Sequence, residues 1–279
     1  MEITGAISIL IMVVTVIFSA KAFTNRTLFA RYAFDVERIL VHRDYKRLVT
    51  SGLLHVSWLH LIFNMLTLHA FAGSLAMIVT WWQFLIIYLG SLVGGNLFAL
   101  LIHKNHGDYT AVGASGAVSG LIFASMVIMP GMAIQLMGIL TLPGWLYTLV
   151  FVGVSIYGIR SRRDNIGHEA HLGGGLIGML IAIAMWPGQV IYNYVPILLI
   201  TLPTIALILF IVKRPDALLV QNLFFRNHHN YTVDDRYNIS KRNRQEEIDR
   251  ILEKIHKKGM GSLTRQEKQT LKEYSKLKE

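Results

Sequence analysis

Four polar side chains lie inside long apolar stretches of the chain. They are His60, Asn64, Ser115 and His171. A hydrogen-bonding or ionisable side chain within a bilayer helix is costly enough to be a candidate functional residue. A serine can supply a nucleophile, and an imidazole with a pKa of about 6.5 suits the general base that activates it. These residue types therefore predict acyl-transfer chemistry.

Ser115 lies in the run Gly113-Ala114-Ser115-Gly116, where a polar loop becomes an apolar helix. The first turn of a helix carries backbone N–H groups without intrahelical partners, and its dipole favours negative charge. A tetrahedral oxyanion needs both properties. An isolated serine at such a junction is more often an N-cap or a packing residue, so the interpretation depends on its partners.

His171 is the first of these partners, since it also lies near the start of an apolar helix. Two helices with glycines spaced four apart can approach closely along those faces. The helix of Ser115 and the helix of His171 both carry such pairs, at Gly116 with Gly120 and at Gly174 with Gly178. The spacing predicts that the two helices pack together and that the serine meets the histidine.

His60 and Asn64 are four residues apart and therefore share one face of a helix. Both can donate hydrogen bonds, so with the backbone N–H of Ser115 they could form an oxyanion site. A polar pair that bridges two helices is an equally good interpretation of the spacing. His55, near the start of the same helix, is interpreted as structural.

The sequence also limits the chemistry. We expect no acidic residue within the predicted helices, which favours a Ser-His dyad over a triad. The run from His168 to His171 is one residue shorter than the zinc-protease motif, so no metal or other cofactor is expected. The absence of cysteine excludes disulfides and cysteine catalysis.

The elements that position these residues are apolar helices. Of 279 residues 53% are hydrophobic, which predicts an all-α, polytopic membrane protein. The chain has 27 lysines and arginines against 17 aspartates and glutamates, and the basic residues cluster at 21–47, at 160–163 and beyond 213. This distribution favours a role in membrane orientation over nucleic-acid binding. The predicted helices are 3–22, 53–79, 81–102, 113–129, 145–159, 170–186 and 193–213.

Two further segments lie between these helices. The basic, aromatic loop 23–50 is too long for a turn and is expected to carry interfacial structure. The short apolar stretch 132–142 is interpreted as a re-entrant or interfacial piece.

The composition becomes polar after residue 213, which indicates a soluble tail. We divide the chain into a core at 1–190, an additional helix at 191–214, a linker at 215–245 and a helical hairpin at 246–279. Thr264 and Glu267 have the spacing of a capping box that opens the second helix of this hairpin. Its first helix is predicted by apolar residues on one face, at Ile248, Ile251, Leu252 and Ile255.

This combination resembles the rhomboid family of intramembrane serine proteases. The matching runs are His55-Val56-Ser57-Trp58-Leu59-His60-Leu61-Ile62-Phe63-Asn64, Gly113-Ala114-Ser115-Gly116 and Ala170-His171-Leu172-Gly173-Gly174, together with Gly178 and Arg47. The resemblance implies a six-helix bundle with a seventh helix added here. It also implies that Ser115 is the nucleophile, that His171 is the base, and that His60, Asn64 and the Ser115 amide form the oxyanion hole. Gly113 would shape the loop before the serine.

The resemblance further implies cleavage of transmembrane protein substrates within the lipid bilayer, in the inner membrane of a bacterium. One position departs from the family pattern, since Ser119 replaces the aromatic residue that commonly packs on the histidine. The family usually places the active-site end of the helices outside the cell. Here the basic loops and the basic tail fall on that same side if all seven helices span, and basic residues favour the inside of the membrane. The tail would instead lie inside if 193–213 does not fully cross the membrane. A non-catalytic rhomboid-like protein that binds or escorts membrane clients is the alternative, and a transporter is third.

Overall fold

The computed structural model describes residues 2–136, 140–161 and 166–213, together with Ile251, Lys254, Ile255, Thr264, Glu267 and Leu271. It divides into two compact units, Met1–Val220 and Gln221–Glu279. The helices of the first unit are α1 Glu2–Thr24, α2 Arg26–Tyr32, α3 Val36–Leu40, α4 Arg47–Thr50, α5 Trp58–Leu75, α6 Trp81–His103, α7 Ser115–Ile128, α8 Gly144–Ser161, α9 His168–Met185 and α10 Pro187–Lys213. The strands are β1 Phe34–Asp35, β2 Thr110–Ala111, β3 Ala133–Leu136 and β4 Leu140–Pro143.

The prediction of a helical membrane protein is confirmed. Among the described residues, five helices are long and apolar enough to cross a membrane, namely α1, α5, α6, α9 and α10. Two shorter apolar helices, α7 and α8, complete the seven predicted segments. The outer helices expose large apolar side chains such as Ile191 and Tyr192, which water would disfavour and lipid accommodates.

Helix α7 is the centre of the bundle, since every residue from Ser115 to Ile128 is buried. It packs mainly against α6 and α9. The glycine pairs make the contact with α9 close: a Cβ built on Gly174 would lie 2.9 Å from the carbonyl carbon of Gly116, and one on Gly178 would lie 2.6 Å from that of Gly120. The predicted approach of these two helices through their glycines is confirmed.

The segment between α1 and α5 is structured, as the sequence predicted, by the short helices α2, α3 and α4, a 3₁₀ helix at Ser51–Leu53 and strand β1. Arg47 is buried and holds it together: its Nη1 donates to the carbonyls of Ala30 and Ala33 at 2.8 and 2.6 Å, and its Nε donates to Asp44 at 3.0 Å. Strand β1 pairs with β2, which comes just before the loop that carries Gly113. The segment thereby braces the chain ahead of α7.

Several predicted helix boundaries differ from the structure, and two of them lie near the polar residues singled out above. Helix α5 begins at Trp58 rather than Leu53, because Ser57 caps it by accepting from the His60 N–H at 3.2 Å. Helix α9 begins at His168 rather than Ala170, so Glu169 lies within its first turn. The expectation of no acidic residue in the apolar helices is therefore also wrong.

The ambiguous stretch 132–142, interpreted as a re-entrant or interfacial piece, contains a β-hairpin. Strands β3 and β4 pair antiparallel, from Ala133 opposite Pro143 to Leu136 opposite Leu140. The stretch is too short for a stable helix of its own, and pairing two strands satisfies its backbone hydrogen bonds internally.

Helix α10 begins at Pro187, six residues before the predicted start, in keeping with the preference of proline for the first helical position. Its backbone leaves helical geometry at Asn193, whose Nδ2 donates to the carbonyl of Val127 at 2.7 Å. Helix α10 is thus attached to the end of α7.

In the second unit the predicted capping box is confirmed. The Thr264 N–H donates to Glu267 Oε2 at 2.7 Å, and the Glu267 N–H donates to Thr264 Oγ1 at 3.2 Å. Lys254 Nζ also donates to both carboxylate oxygens of Glu267 at 2.8 Å, and Ile251 is buried. Most of the predicted hairpin, including Ile248 and Leu252, lies outside the described residues.

Candidate active site

Ser115 and His171 meet at the N-terminal ends of α7 and α9. The distance from His171 Nε2 to Ser115 Oγ is 2.6 Å, and both side chains are buried. Ala114, and not Ser115, occupies the N-cap position of α7, and no side chain makes a capping bond there. The serine hydroxyl is therefore directed at an imidazole instead of at its own helix, as nucleophilic catalysis requires.

Helix α8 supplies two contacts to His171 that the sequence did not reveal. The Phe151 ring lies 5.4 Å from the imidazole, centroid to centroid, at an angle of 31°. Ser155 Oγ lies 3.1 Å from His171 Nδ1. An aromatic residue and a serine four apart on an apolar helix are unremarkable in sequence, so no signal singled them out.

Ser119 stands where an aromatic residue was expected to support the histidine. Its hydroxyl instead donates to the carbonyl of Ser115, 2.5 Å away, within α7. The ring against His171 comes from Phe151 on another helix. Support for the imidazole is thus supplied by α8.

Gly113 opens the space beside the serine. Its φ of 142° lies in the region that favours glycine. A Cβ there would lie 3.1 Å from Ser115 Oγ and 3.2 Å from His60 Nε2. Because no side chain fills this position, a small volume stays open between Ser115 Oγ and His60, a potential hydrogen-bond donor.

Asn64 lies one turn beyond His60 on α5 and is buried. Its Nδ2 donates to the carbonyl of His60 at 2.9 Å. An amide nitrogen carries two protons, so Asn64 can donate a second bond from a side chain whose direction is already fixed.

His55 anchors the loop before the serine, in agreement with its structural interpretation. Ser19 Oγ donates to the Leu53 carbonyl at 2.9 Å and lies 2.9 Å from His55 Nδ1. The single hydroxyl proton is used by Leu53, so Nδ1–H donates to Ser19 and Nε2 accepts from the Ala114 N–H at 3.4 Å. Burial lowers the pKa of His55 to about 3, to which nearby His60 contributes, so this neutral form persists at physiological pH.

The buried acid Glu169 has other partners than the proposed base. Its carboxylate lies 3.2 Å from His103 Nε2 and accepts from the Tyr109 hydroxyl at 3.2 Å. His103 and Tyr109 also stack, with ring centroids 3.6 Å apart. Glu169 therefore ties α9 to the end of α6 and to the following loop, and an acid is present in α9 without taking the third position of a triad.

Comparison with known proteins adds an independent line of evidence. A family model described as the rhomboid domain matches residues 42–188, which include all five predicted site residues. A second model, for a family of unknown function (DUF6576), matches residues 231–277 in the tail.

Three relatives illustrate the similarity. The chain is 28% identical over 148 residues to the RHOMBOID-like protein 12, mitochondrial, of Arabidopsis thaliana, covering 48% of this chain and 44% of that protein. It is 30% identical over 158 residues to the Rhomboid protein 1, mitochondrial, of Saccharomyces cerevisiae, covering 53% and 45%. It is 32% identical over 147 residues to the putative rhomboid protease YdcA of Bacillus subtilis, covering 50% and 66%. The chain thus spans about half the length of the first two relatives and about two thirds of the third.

Proposed function

The chain belongs to the rhomboid family, as an integral multi-pass membrane protein, and on that premise we propose that it is an intramembrane serine endopeptidase. The contact of 2.6 Å between His171 Nε2 and Ser115 Oγ, at the first residue of a fully buried helix, carries the proposal. The name of one relative, the rhomboid protease GluP of Bacillus subtilis, points to the same activity.

The length of α7 supports a site below the membrane surface. With 14 residues it rises about 21 Å, which is less than the roughly 30 Å of a bilayer's hydrocarbon core. Such a helix cannot reach both surfaces, and we propose that its Ser115 end is the one that lies within the depth of the membrane. Peptide bonds of transmembrane segments are at that depth.

The reaction follows from the positions of the atoms. His171 Nε2 takes the proton of Ser115 Oγ as the oxygen attacks a substrate carbonyl, and the carbonyl oxygen becomes an oxyanion. The same proton passes from Nε2 to the departing amide nitrogen, and an acyl-enzyme remains on Ser115. Water then gives a proton to His171 and attacks the acyl carbon. The bond to Ser115 Oγ breaks, His171 returns the proton to that oxygen, and the second product leaves the restored serine.

The oxyanion is stabilised in the space that Gly113 leaves open. His60 borders this space, Asn64 lies on the same helix, and the Ser115 N–H belongs to the first turn of α7. Such donors typically contribute about 10² to 10³ in rate each.

The substrate is a transmembrane protein that unwinds where it is cut. An intact helix hides its carbonyl groups in hydrogen bonds, so residues that weaken a helix, such as glycine, serine or proline, are preferred near the cleaved bond. We place the enzyme in the inner membrane of a bacterium.

Reconstituted cleavage tests this function. Full-length protein in liposomes is mixed with a model transmembrane substrate, and products are followed by gel and mass spectrometry. Cleavage should be lost in Ser115→Ala and His171→Ala and should fall about hundredfold in Asn64→Ala. Ser125→Ala is the matched control, because this buried serine of α7 bonds only the Ile122 carbonyl among the contacts described.

Equal cleavage by the wild type and by Ser115→Ala would contradict the proposal. Binding of the substrate without cleavage by the wild type would favour a rhomboid-like protein that escorts membrane clients.

A further inference from the structure

We propose that Ser155 of α8 is a positioning residue that fixes the tautomer and the direction of His171 by accepting a hydrogen bond from its Nδ1. This inference rests on the proposed protease function. It starts from the 3.1 Å contact between Ser155 Oγ and His171 Nδ1.

A count of protons gives the direction of this bond. Ser155 has one hydroxyl proton, and its Oγ donates to the Phe151 carbonyl at 2.9 Å in the preceding turn of α8. The oxygen of Ser155 then serves as an acceptor toward His171. The proton between the two residues therefore belongs to Nδ1, and His171 is in its Nδ1–H form.

That tautomer is the one a general base needs. With the proton on Nδ1, the lone pair of the ring is on Nε2, which faces the Ser115 hydroxyl at 2.6 Å. When Nε2 takes the serine proton, both ring nitrogens carry hydrogen and the ring becomes positive. The bond from Nδ1–H to Ser155 then strengthens, because hydrogen bonds of ionised groups are about twice as strong as neutral ones.

The two contacts to His171 come from one turn of α8. Phe151 places its ring against the imidazole and accepts the Ser155 proton through its carbonyl. A second imidazole, that of His168, lies edge-on at 5.0 Å on the same helix as His171. The orientation of the base is thus set by α8 as well as by its own helix.

A hydroxyl also suits this depth better than a carboxylate. An unpaired buried carboxylate carries a large desolvation cost, whereas a serine back-bonded to its own helix is neutral and satisfied. The acid nearest in sequence, Glu169, is engaged by His103 and Tyr109 instead. The serine therefore takes the place that a carboxylate holds in a Ser-His-Asp triad.

Two measurements on the full-length protein in detergent test the proposal. The first is the rate at which a fluorophosphonate labels the protein. The labelling rate of Ser155→Ala should be about tenfold lower, because the variant loses a hydrogen bond to a group that becomes charged. Ser155→Thr keeps the hydroxyl and should recover most of the rate. Thr148→Val is the matched control, since this buried hydroxyl of α8 bonds the Gly144 carbonyl in the same way.

The second measurement is the ¹⁵N spectrum of histidine-labelled protein, with His171 assigned by comparison with His171→Gln. The wild type should show protonated Nδ1 and bare Nε2, and Ser155→Ala should show a mixture of the two tautomers.

The outcomes separate the two proposals. A wild type that is never labelled would refute the protease function. If the wild type is labelled but His171 carries its proton on Nε2, the role of Ser155 is refuted and the protease function is not. This result is obtained on the wild type, so it does not depend on the folding of a variant. Unchanged rate and tautomer in folded Ser155→Ala would refute it as well, as would slowing without any change of tautomer.

Discussion

The close contact between α7 and α9 makes Gly174 a sensitive position, since it lies one turn after the proposed base. A Cβ there would lie 2.9 Å from the Gly116 carbonyl carbon and 2.9 Å from the Ser91 carbonyl oxygen. Carbon atoms at rest are about 3.5–4.0 Å apart, so Gly174→Ala must separate the helices by roughly 1 Å. Gly116 directly follows Ser115, so the change acts next to the proposed nucleophile.

The expected effect is large on chemistry and moderate on stability. A misplacement of about 1 Å at a catalytic pair can cost roughly 10² in rate, so labelling of the serine by a fluorophosphonate should fall about hundredfold. Overpacking of a tight interface typically costs about 1–3 kcal/mol of unfolding free energy, which the full chain in detergent should show as a lower Tm. Gly178→Ala, one turn farther from the site, should lower the Tm similarly with a smaller loss of rate.

Gly73→Ala is the control, because a Cβ at this exposed position of α5 meets nothing within 4 Å. It should keep the wild-type rate and should not lower the Tm, because alanine favours a helix more than glycine does. Wild-type labelling by folded Gly174→Ala would refute the argument that the glycine contact sets the distance between Ser115 and His171.

Three further results are expected. Gly113→Ala should strain the backbone by about 1–3 kcal/mol and fill the oxyanion space, reducing the labelling rate at least about hundredfold while the protein stays folded. His55→Leu should leave the Ala114 N–H without its acceptor and so destabilise the loop by about 1–3 kcal/mol, read as a lower Tm together with slower labelling. The bond from Lys254 lowers the pKa of Glu267 to about 2, with help from the Thr264 backbone, so its contribution to tail stability is complete above about pH 5 and is lost as the pH falls toward 2. Carbon-13 titration of Glu267 should show this midpoint and its return toward about 4.3 in Lys254→Met.

The sequence was sufficient for the bundle and for the contact between Ser115 and His171. Long uncharged runs can only be apolar helices, and glycines four apart on two of them fix which faces meet. Since Ser115 and His171 lie just ahead of those glycines, their meeting followed from the register of the two helices.

The remaining features depend on contacts that spacing does not encode. Ser155 and Phe151 reach His171 because of the rotation of α8 about its axis, which the spacing of residues along that helix does not fix. Glu169 entered α9 because that helix starts two residues earlier than its apolar run. The hairpin of β3 and β4 was missed because a short apolar stretch fits a strand and a helix segment equally well.

The central claim is that Ser115 is a nucleophile activated by His171. Full-length protein treated with a fluorophosphonate and digested should carry the phosphonyl mass on the peptide that contains Ser115, and His171→Ala should remove that adduct although the serine is intact. An adduct on a different serine, or equal labelling of the wild type, Ser115→Ala and His171→Ala, would contradict the account.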